Sequence, residues 1–358
     1  MISGKGRTPI RILYLGDTFV QNTCGHRAEA LRRLGHEVTG INPQEAIPSS
    51  RYVTSFNVRT GFRLFECRVR RRILREMADQ RFDLVWVDGG QQLGPRLHRE
   101  LARRGLLIVN YNVDDPFGTR DHRKWDLYKR SVPYHDLTVV VRKENIAEAR
   151  AHGARSVHHV FRSYDPVAHA PLPLTDEECR KWAAEVVFVG SWMPERGPFM
   201  VRLLELGVPL TIWGDHWRKA REWGRLQTFI RGPSVYGPDY VRAIQCAKVA
   251  LGLLSKGNRD LHTQRSAEVP FIAGAVFCAE RTDEHERLYR NGEEALFWST
   301  AEECAARCRE LLPAGDRRRR IAVAARSRVE AWRLSNDEVL ASILRVLAGE
   351  PAAHPLAS

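Results

Sequence analysis

Short apolar runs alternate with helical stretches along most of the chain, and this alternation begins afresh near residue 183. Residues 10–15, 82–87 and 106–111 are mainly apolar at successive positions, which is typical of strands covered on both faces. Apolar residues at helical spacing separate these runs. The pattern predicts an α/β protein whose parallel sheets carry helices on both sides.

The chain has 358 residues, which suits two domains of ordinary size. We predict an N-terminal Rossmann-like domain at residues 1–168, a proline-marked linker at 169–182 and a C-terminal Rossmann-like domain at 183–334. A helix at 335–350 is expected to pack back on the N-terminal domain, with a flexible tail at 351–358. Two doubly wound domains in tandem are expected to face a central cleft.

Charge and hydropathy narrow the class of protein. The chain has 56 Lys and Arg against 43 Asp and Glu, and the net charge of +13 favours anionic partners such as nucleotides or nucleic acid. Arginine-rich segments near residues 68–75 and 317–320 are interpreted as solvated helix faces or as a nucleic-acid footprint. No apolar run is long enough for a membrane span, and no signal-like segment leads the first strand, so we expect a cytoplasmic protein.

The scattered cysteines and the absence of two common nucleotide-binding motifs argue against a metal site and against two classes of nucleotide-binding enzyme. The seven cysteines are scattered, and only Cys304 and Cys308 lie at helical spacing, so free thiols are predicted and no metal site. Neither a Walker loop nor a GxGxxG motif follows a predicted strand. P-loop nucleotidases and ordinary dehydrogenases are therefore disfavoured.

One segment, residues 254–275, runs from a strand end through a polar glycine loop into a helix. Backbone amides of residues 258–263 are expected to face a diphosphate at the helix N-terminus. Arg265, in the first helical turn, has the fork geometry for a phosphate contact, and Glu268 could accept hydroxyl hydrogen bonds from a ribose. The alternative interpretation is that Arg265 and Glu268 form a surface i, i+3 ion pair.

The same segment carries a resemblance. Residues 185–300 resemble the C-terminal domain of GT-B glycosyltransferases, in particular the CgeB/YkvP-like group of spore-protein glycosyltransferases. The matching features are Phe188-Val189-Gly190-Ser191 with Arg196, the pattern Asn258-x-Asp260-x-His262-Thr263-x-Arg265-x-x-Glu268, Gly274, and residues 280–285 and 291–295. The N-terminal half is similar to GT-B proteins more weakly, through residues 30–38 and Asp114-Asp115-Pro116.

This resemblance implies a nucleoside-diphosphate-sugar donor, with UDP, GDP or dTDP as the nucleotide. Glu268 would hold the ribose, while Arg196, Arg265 and the Gly190-Ser191 turn would face the diphosphate. Lys256 could replace a second basic residue of GT-B enzymes. Asp260 and Glu268 have the eight-residue spacing of the acid pair in many retaining enzymes, with Asp in place of the first Glu. The full set of predicted donor-site residues is Gly190, Ser191, Arg196, Tyr236, Lys256, Asn258, Asp260, His262, Thr263, Arg265 and Glu268.

The catalytic base is expected in the N-terminal half, where an acceptor hydroxyl would lose its proton. Asp17 follows the first predicted strand, His26 begins the next helix, and Asp114 and Asp115 follow another strand. We predict Asp115, Asp17 and His26 as the catalytic candidates, with Asp115 and Asp17 first. Turn or capping roles are the alternative for each of them. Among the aromatic residues, Tyr236 is favoured over Trp213 and Trp217 for stacking on the base.

The sequence therefore predicts a glycosyltransferase that moves a sugar from a nucleotide donor to an unidentified acceptor. No metal is expected, because Arg, Lys and helix dipoles usually neutralise the leaving diphosphate in GT-B enzymes. Two alternatives remain open: a nucleotide-binding protein without transfer activity that serves as a binding or assembly factor, and a transferase whose acceptor is a polyanion such as DNA. A small molecule, glycan or protein is favoured over nucleic acid as the acceptor.

Overall fold

The computed structural model describes residues 9–351 and residue 356. The described chain divides into two compact units: residues 9–161, 257–259 and 336–351 contribute to the first, and residues 162–256 and 260–335 form the second. The division after Phe161 precedes the predicted linker at 169–182. Residues 176–182 of that predicted linker form a helix, whose N-terminus is capped by a Thr175–Glu178 capping box. Most of the predicted tail at 351–358 lies outside the described residues.

The first unit is built on a six-stranded parallel sheet with the strand order β2-β1-β3-β4-β5-β6. Its strands are β1 (Arg11–Leu15), β2 (Glu37–Ile41), β3 (Leu84–Asp88), β4 (Leu107–Asn112), β5 (Leu137–Val140) and β6 (Val157–His159). Its helices are α1 (Thr23–Arg33), α2 (Arg51–Thr60), α3 (Glu66–Glu76), α4 (Pro95–Arg103), α5 (Asp126–Ser131), α6 (Glu144–Ala151) and α15 (Asn336–Leu347).

Alternate residues of each central strand enter different cores. Ile12 and Tyr14 of β1 pack in a cluster that includes α1 and α15, whereas Leu13 and Leu15 pack in a cluster that includes α3 and α4. Because both faces are covered, the strand is apolar throughout. Arg33 of α1 and Asp337 of α15 add two hydrogen bonds of 2.9 and 3.0 Å.

The second unit repeats the architecture with a parallel sheet of order β12-β11-β10-β7-β8-β9. Its strands are β7 (Ala184–Val189), β8 (Leu210–Trp213), β9 (Ile230–Gly232), β10 (Ala247–Gly252), β11 (Val276–Glu280) and β12 (Leu296–Trp298). Its helices are α7 (Asp176–Trp182), α8 (Arg196–Glu205), α9 (Trp223–Leu226), α10 (Gly237–Gln245), α11 (Arg265–Ile272), α12 (Asp283–Leu288), α13 (Ala301–Leu311) and α14 (Gly315–Ala331). The two parallel sheets with flanking helices confirm the predicted α/β fold class.

All seven cysteines are free thiols. Cys278 of β11 meets Cys304 and Cys308 of α13 in the apolar core of the second unit, and the three sulfur atoms lie within 4.8 Å of one another. The helical spacing of Cys304 and Cys308 therefore brings both onto the buried face of α13. Within the described residues, no helix is both long and apolar enough to cross a membrane.

Buried histidines couple the stability of both units to pH. In the first unit His98 Nδ1 donates to the Gly94 carbonyl at 2.9 Å, and burial lowers the pKa of His98 from 6.5 to about 4. In the second unit burial lowers the pKa of His285 from 6.5 to about 4 as well. Both histidines are therefore neutral in the folded protein near neutral pH.

We expect the free energy of unfolding to be constant with respect to these histidines above about pH 6.5 and to fall as the pH drops toward 4, because the unfolded chain then binds the extra protons. At pH 5 each histidine should cost its unit about 2 kcal/mol. Thermal unfolding at pH 7.5 and pH 5 measures this loss. His98→Gln should flatten the pH dependence of the first unit, whereas replacing the exposed His122 by Gln should not; equal slopes in both variants would contradict this account.

Candidate functional site

The carboxyl edge of the second sheet begins with a tightly packed turn after β7. The Gly190 amide donates to the Trp213 carbonyl at 2.8 Å, and the Gly190 carbonyl accepts from Trp217 Nε1 at 3.0 Å. A Cβ at Gly214 would lie 2.0 Å from the same carbonyl. The turn is thus fixed by its neighbours, and it directs the backbone of Ser191 toward the start of α8.

Arg196, the first residue of α8, is 7% exposed, lies over the Phe188 ring at 5.3 Å from its centroid, and hydrogen-bonds only to carbonyls in the described chain. Its Nη1 donates to the Ser191 carbonyl at 2.7 Å, its Nη2 lies 3.4 Å from the Leu253 carbonyl, and its Nε is buried with no hydrogen-bond partner. Burial, together with the positive charge of Arg265, lowers the pKa of Arg196 to about 10. The side chain also lines a cavity of about 230 Å³.

Arg265, the first residue of α11, is the second guanidinium at this edge. Its Nε donates to the Val189 carbonyl, the last of β7, at 3.0 Å. Neither Arg265 nor Arg196 has a carboxylate within ion-pair distance among the residues that the structure describes. The carboxylates of Glu195, Asp260 and Glu280 act on Arg196 from beyond ion-pair distance and raise its pKa, but burial and Arg265 outweigh them. Two neighbouring guanidiniums with no direct ion pair favour an anionic ligand, because a buried charge without a hydrogen-bonded acidic partner is costly.

Glu268 lies one turn further along α11 and is 5% exposed. Its carboxylate accepts from the Tyr240 hydroxyl at 2.7 Å, and His169 Nε2 lies 3.5 Å from the other oxygen. Arg265 is not its partner, so the alternative interpretation of these two residues as a surface ion pair is wrong. Arg265 instead contacts the end of β7, Glu268 contacts Tyr240 and His169, and each carboxylate oxygen of Glu268 retains a second acceptor position.

The loop before α11 differs from the expectation that its amides face a diphosphate. The Asp260 amide donates to the Ser255 carbonyl at 3.2 Å, and the Thr263 amide donates to Ser266 Oγ at 3.0 Å. These two amides serve the loop itself, so their predicted role toward a ligand is corrected. Lys256 is 61% exposed and is paired with the Glu280 carboxylate, which neutralises its charge.

Asp260 and His262 are both buried, and each hydrogen-bonds to Arg162. Arg162 Nη2 lies 3.2 Å from Asp260 Oδ1, and the Arg162 amide donates to His262 Nε2 at 3.0 Å. Because Nε2 accepts, Nδ1 carries the proton and donates to Glu284 at 2.6 Å. Burial lowers the pKa of His262, so the imidazole is neutral. Asp260 and His262, both predicted to bind the nucleotide donor, thus lie near the sheet edge, but their polar atoms already hydrogen-bond to Arg162 and Glu284.

Asn258 and Tyr236 are not brought together with the two arginines by any contact in the described structure. Asn258 belongs to the first unit, where its side chain accepts from Arg120 at 2.9 Å and its carbonyl from Arg142 at 2.6 Å. Tyr236 precedes α10 and is 54% exposed. Trp217 is buried in the core of the second unit, and the half-buried Trp213 packs on Trp182 with ring centroids 5.1 Å apart.

A separate cavity of about 330 Å³ opens at the carboxyl edge of the first sheet, in the loops that follow β1, β2, β3 and β4. Gly89 and Gly90 have φ angles of +80° and +98°, a conformation that favours glycine, and they turn the chain so that Gln91 and Gln92 reach the cavity. Ligands of doubly wound folds bind at this edge of the sheet.

Three aspartates line this cavity. Asp17 is exposed and accepts from the Phe19 amide at 3.1 Å and from Asn42 Nδ2 at 3.5 Å. Asp114 carries no hydrogen bond or ion pair on its carboxylate within the described chain. Asp88 is the third. Asp114 is therefore the carboxylate with the most open acceptor capacity.

Asp88 is a feature that the sequence analysis did not single out. It ends β3, is buried, and receives Arg27 Nε at 2.6 Å and Nη2 at 2.8 Å. The Tyr14 hydroxyl adds a hydrogen bond of 2.5 Å. The apolar run that precedes Asp88 could have indicated that this residue ends a strand. Its ion-pair partner could not be predicted in this way, because Arg27 lies on α1, 61 residues earlier. The carboxylate is thus held rigidly at the cavity wall.

Asp115 and His26, both predicted as catalytic candidates, do not line the cavity. Asp115 is 4% exposed and accepts from Arg259 at 2.6 and 2.8 Å and from Asn145 at 2.9 Å. Burial alone would raise its pKa, but these hydrogen bonds outweigh burial and lower it. A carboxylate so engaged is a poor proton acceptor, which favours a structural role. His26 is buried within α1.

Comparison with known proteins gives a family match for part of the chain. A family model described as glycosyl transferase-like matches residues 196–344, which include Arg196, Arg265 and Glu268. No curated protein sequence matches the chain.

Solved structures resemble the chain over nearly its whole length. A sucrose-phosphate synthase from Thermosynechococcus elongatus has a TM-score of 0.69 at 12% identity and covers 95% of this chain and 99% of its own. HepE from Anabaena, in complex with UDP-glucose, has a TM-score of 0.66 at 11% identity and covers 95% and 100%. An α,α-trehalose 6-phosphate synthase from Burkholderia multivorans has a TM-score of 0.62 at 11% identity and covers 96% and 99%. The chain has the GT-B glycosyltransferase fold, and its residues 196–344 carry the match to the glycosyl transferase-like family.

Proposed function

We propose that this protein is a glycosyltransferase of the CgeB/YkvP-like group that transfers a sugar from a nucleoside-diphosphate-sugar donor. The observation that carries the proposal is the pair of guanidiniums, Arg196 and Arg265, that meet at the edge of the second sheet without a carboxylate partner in the described chain. A diphosphate would supply the direct ion pairs that these two guanidiniums lack. HepE, a protein of the same fold, binds UDP-glucose, which supports a nucleotide sugar as the ligand.

The two arginines would also stabilise the reaction. When the glycosidic bond to the diphosphate breaks, negative charge develops on the leaving oxygens. Arg196 and Arg265 are fixed in advance by the carbonyls of Ser191 and Val189, so little reorganisation is needed when that charge forms. In this proposal the arginines neutralise the leaving group without a metal.

Acceptor activation is assigned to Asp114 in the first-sheet cavity. Its carboxylate lines the cavity with its acceptor positions open, whereas Asp115 is consumed by Arg259 and Asn145. Asp17 is the second candidate, because its exposed carboxylate also lines the cavity. Either residue would accept the proton of the attacking hydroxyl while that hydroxyl bonds to the anomeric carbon.

The ribose assignment of Glu268 gives a test of the donor site. Tyr240 and His169 orient the carboxylate, and its remaining acceptor positions suit the two ribose hydroxyls. Glu268→Gln should weaken UDP binding about tenfold, as expected for the loss of a charge-assisted hydrogen bond. The same change should have little effect on binding of 2′,3′-dideoxy-UDP, which lacks both hydroxyls, measured by calorimetry. An equal loss for both nucleotides would place Glu268 away from the ribose.

A further inference from the structure

The charges around the first-sheet cavity are opposite to those of the chain as a whole. Although the net charge is +13, no Lys or Arg of the part of the chain that the structure describes lines the cavity, and its ionisable side chains there are Asp17, Asp88, Asp114 and the thiol of Cys24. The charge of Asp88 is neutralised by Arg27, which hydrogen-bonds to its carboxylate but does not itself line the cavity. Asp17 and Asp114 have no cationic partner in the described structure.

The remaining polar lining consists of carboxamides. Asn42, Gln44, Gln91, Gln92 and Asn112 contribute them from the loops after β2, β3 and β4. Gln92 Nε2 donates to Gln44 Oε1 at 2.8 Å, so the amides already form part of an ordered polar surface. Each carboxamide offers both a donor and an acceptor, as a hydroxyl group does, and the combination suits a ligand with several hydroxyls.

From this lining we infer that the acceptor is a polyhydroxylated compound without negative charge, such as an uncharged or amino-bearing sugar residue. The inference rests on the proposed function and specifies the substrate class of its acceptor site. A volume of about 330 Å³ lies at the lower end of the range for small-molecule pockets and limits the bound portion to about one such unit.

The same observations count against a phosphorylated acceptor or DNA in this cavity. A phosphate would meet the carboxylates of Asp17 and Asp114 without a lysine or arginine in the lining to compensate. In the proposed donor site two guanidiniums, Arg196 and Arg265, would meet the diphosphate, and no such group is among the described residues that line this cavity. The excess positive charge of the chain therefore does not identify the acceptor.

Ligand-observed NMR by saturation transfer tests the inference on the full-length protein. Common monosaccharides, as their methyl glycosides, are compared with the corresponding 6-phosphates and 2-amino sugars at low ionic strength, together with a 20-nucleotide single strand of DNA. We expect signals from at least one uncharged or amino sugar and at least tenfold weaker binding of its 6-phosphate. Asp17→Ala and Gln92→Ala should reduce the sugar signal, whereas Asp79→Ala, an exposed aspartate in the same unit, should leave it unchanged.

A variant that adds a positive charge to the cavity gives a second test. Gln92→Lys places a cation in the lining and should raise the affinity for the 6-phosphate relative to the uncharged sugar. Binding of a 6-phosphate or of DNA as tight as that of the uncharged sugars, or no binding by any sugar of the panel, would overturn the inference. Nucleotide binding is measured separately, so a wrong acceptor class leaves the donor proposal standing, and a protein that binds no nucleotide fails the proposed function itself.

Discussion

Asp114→Asn should lower the rate of sugar transfer by about a hundredfold or more, which is the contribution expected of a positioned general base. The substitution keeps the size of the side chain and removes its capacity to hold a proton. Since Asp114 carries no hydrogen bond or ion pair on its carboxylate within the described chain, the fold should not depend on it. Nucleotide affinity should be unchanged. Steady-state release of the nucleoside diphosphate, in the presence of acceptor, measures the effect.

Two further aspartates serve as comparisons for this experiment. Asp115→Asn weakens the contacts to Arg259 and should reduce the stability of the first unit while the folded protein still transfers. Asp79→Asn, at an exposed position, should change neither property. Full activity in Asp114→Asn would remove Asp114 as the base and direct attention to Asp17.

Arg265→Ala should weaken binding of the nucleoside diphosphate by about thirtyfold, or about 2 kcal/mol, because it removes a charge-assisted contact to phosphate. Its Nε bond to the Val189 carbonyl is one neutral partner, so the loss of fold stability should be modest by comparison. Calorimetric titration of both proteins at the same ionic strength gives the ratio.

Arg320→Ala is the matched control, because it removes the same charge from an exposed position on α14 of the same unit. Arg320 has no partner in the described residues. Its affinity for nucleotide should stay within twofold of the wild-type value. A similar loss in both variants would mean that net charge, and not a specific contact of Arg265, governs binding.

The fold could be predicted because its signal is local. Apolar strands such as β3, with every residue buried, can be read directly from the sequence. The short edge strand β6 could not be predicted: it contains Val157, His158 and His159, and its pairing with β5 depends on neighbours elsewhere along the chain. Helix α2 was also missed, since four of its ten residues are Arg or Thr and no apolar stripe distinguishes it.

The site could be predicted only in part, because partners distant in sequence decide which side chains are available. Arg265 was identified from its place in the first turn of a helix and Arg196 from the family resemblance; both lie at one sheet edge, and their roles are predictions. Asp115 and Asp114 are neighbours with the same chemistry, and contacts made by the fold distinguish them: Asp115 binds Asn145 and Arg259, the latter 144 residues away, whereas Asp114 lines the cavity. Lys256 is likewise a plausible phosphate ligand by sequence until Glu280 is seen to neutralise it.

Calorimetric titration of the protein with UDP, GDP, dTDP and CDP tests the central claim most directly. The account predicts saturable binding of at least one of the four nucleotides, weakened by Arg265→Ala and by Glu268→Gln but not by Arg320→Ala. That result would also identify the donor base. Absence of binding by all four, or binding that neither substitution at the second sheet affects, would contradict a donor site at Arg196, Arg265 and Glu268.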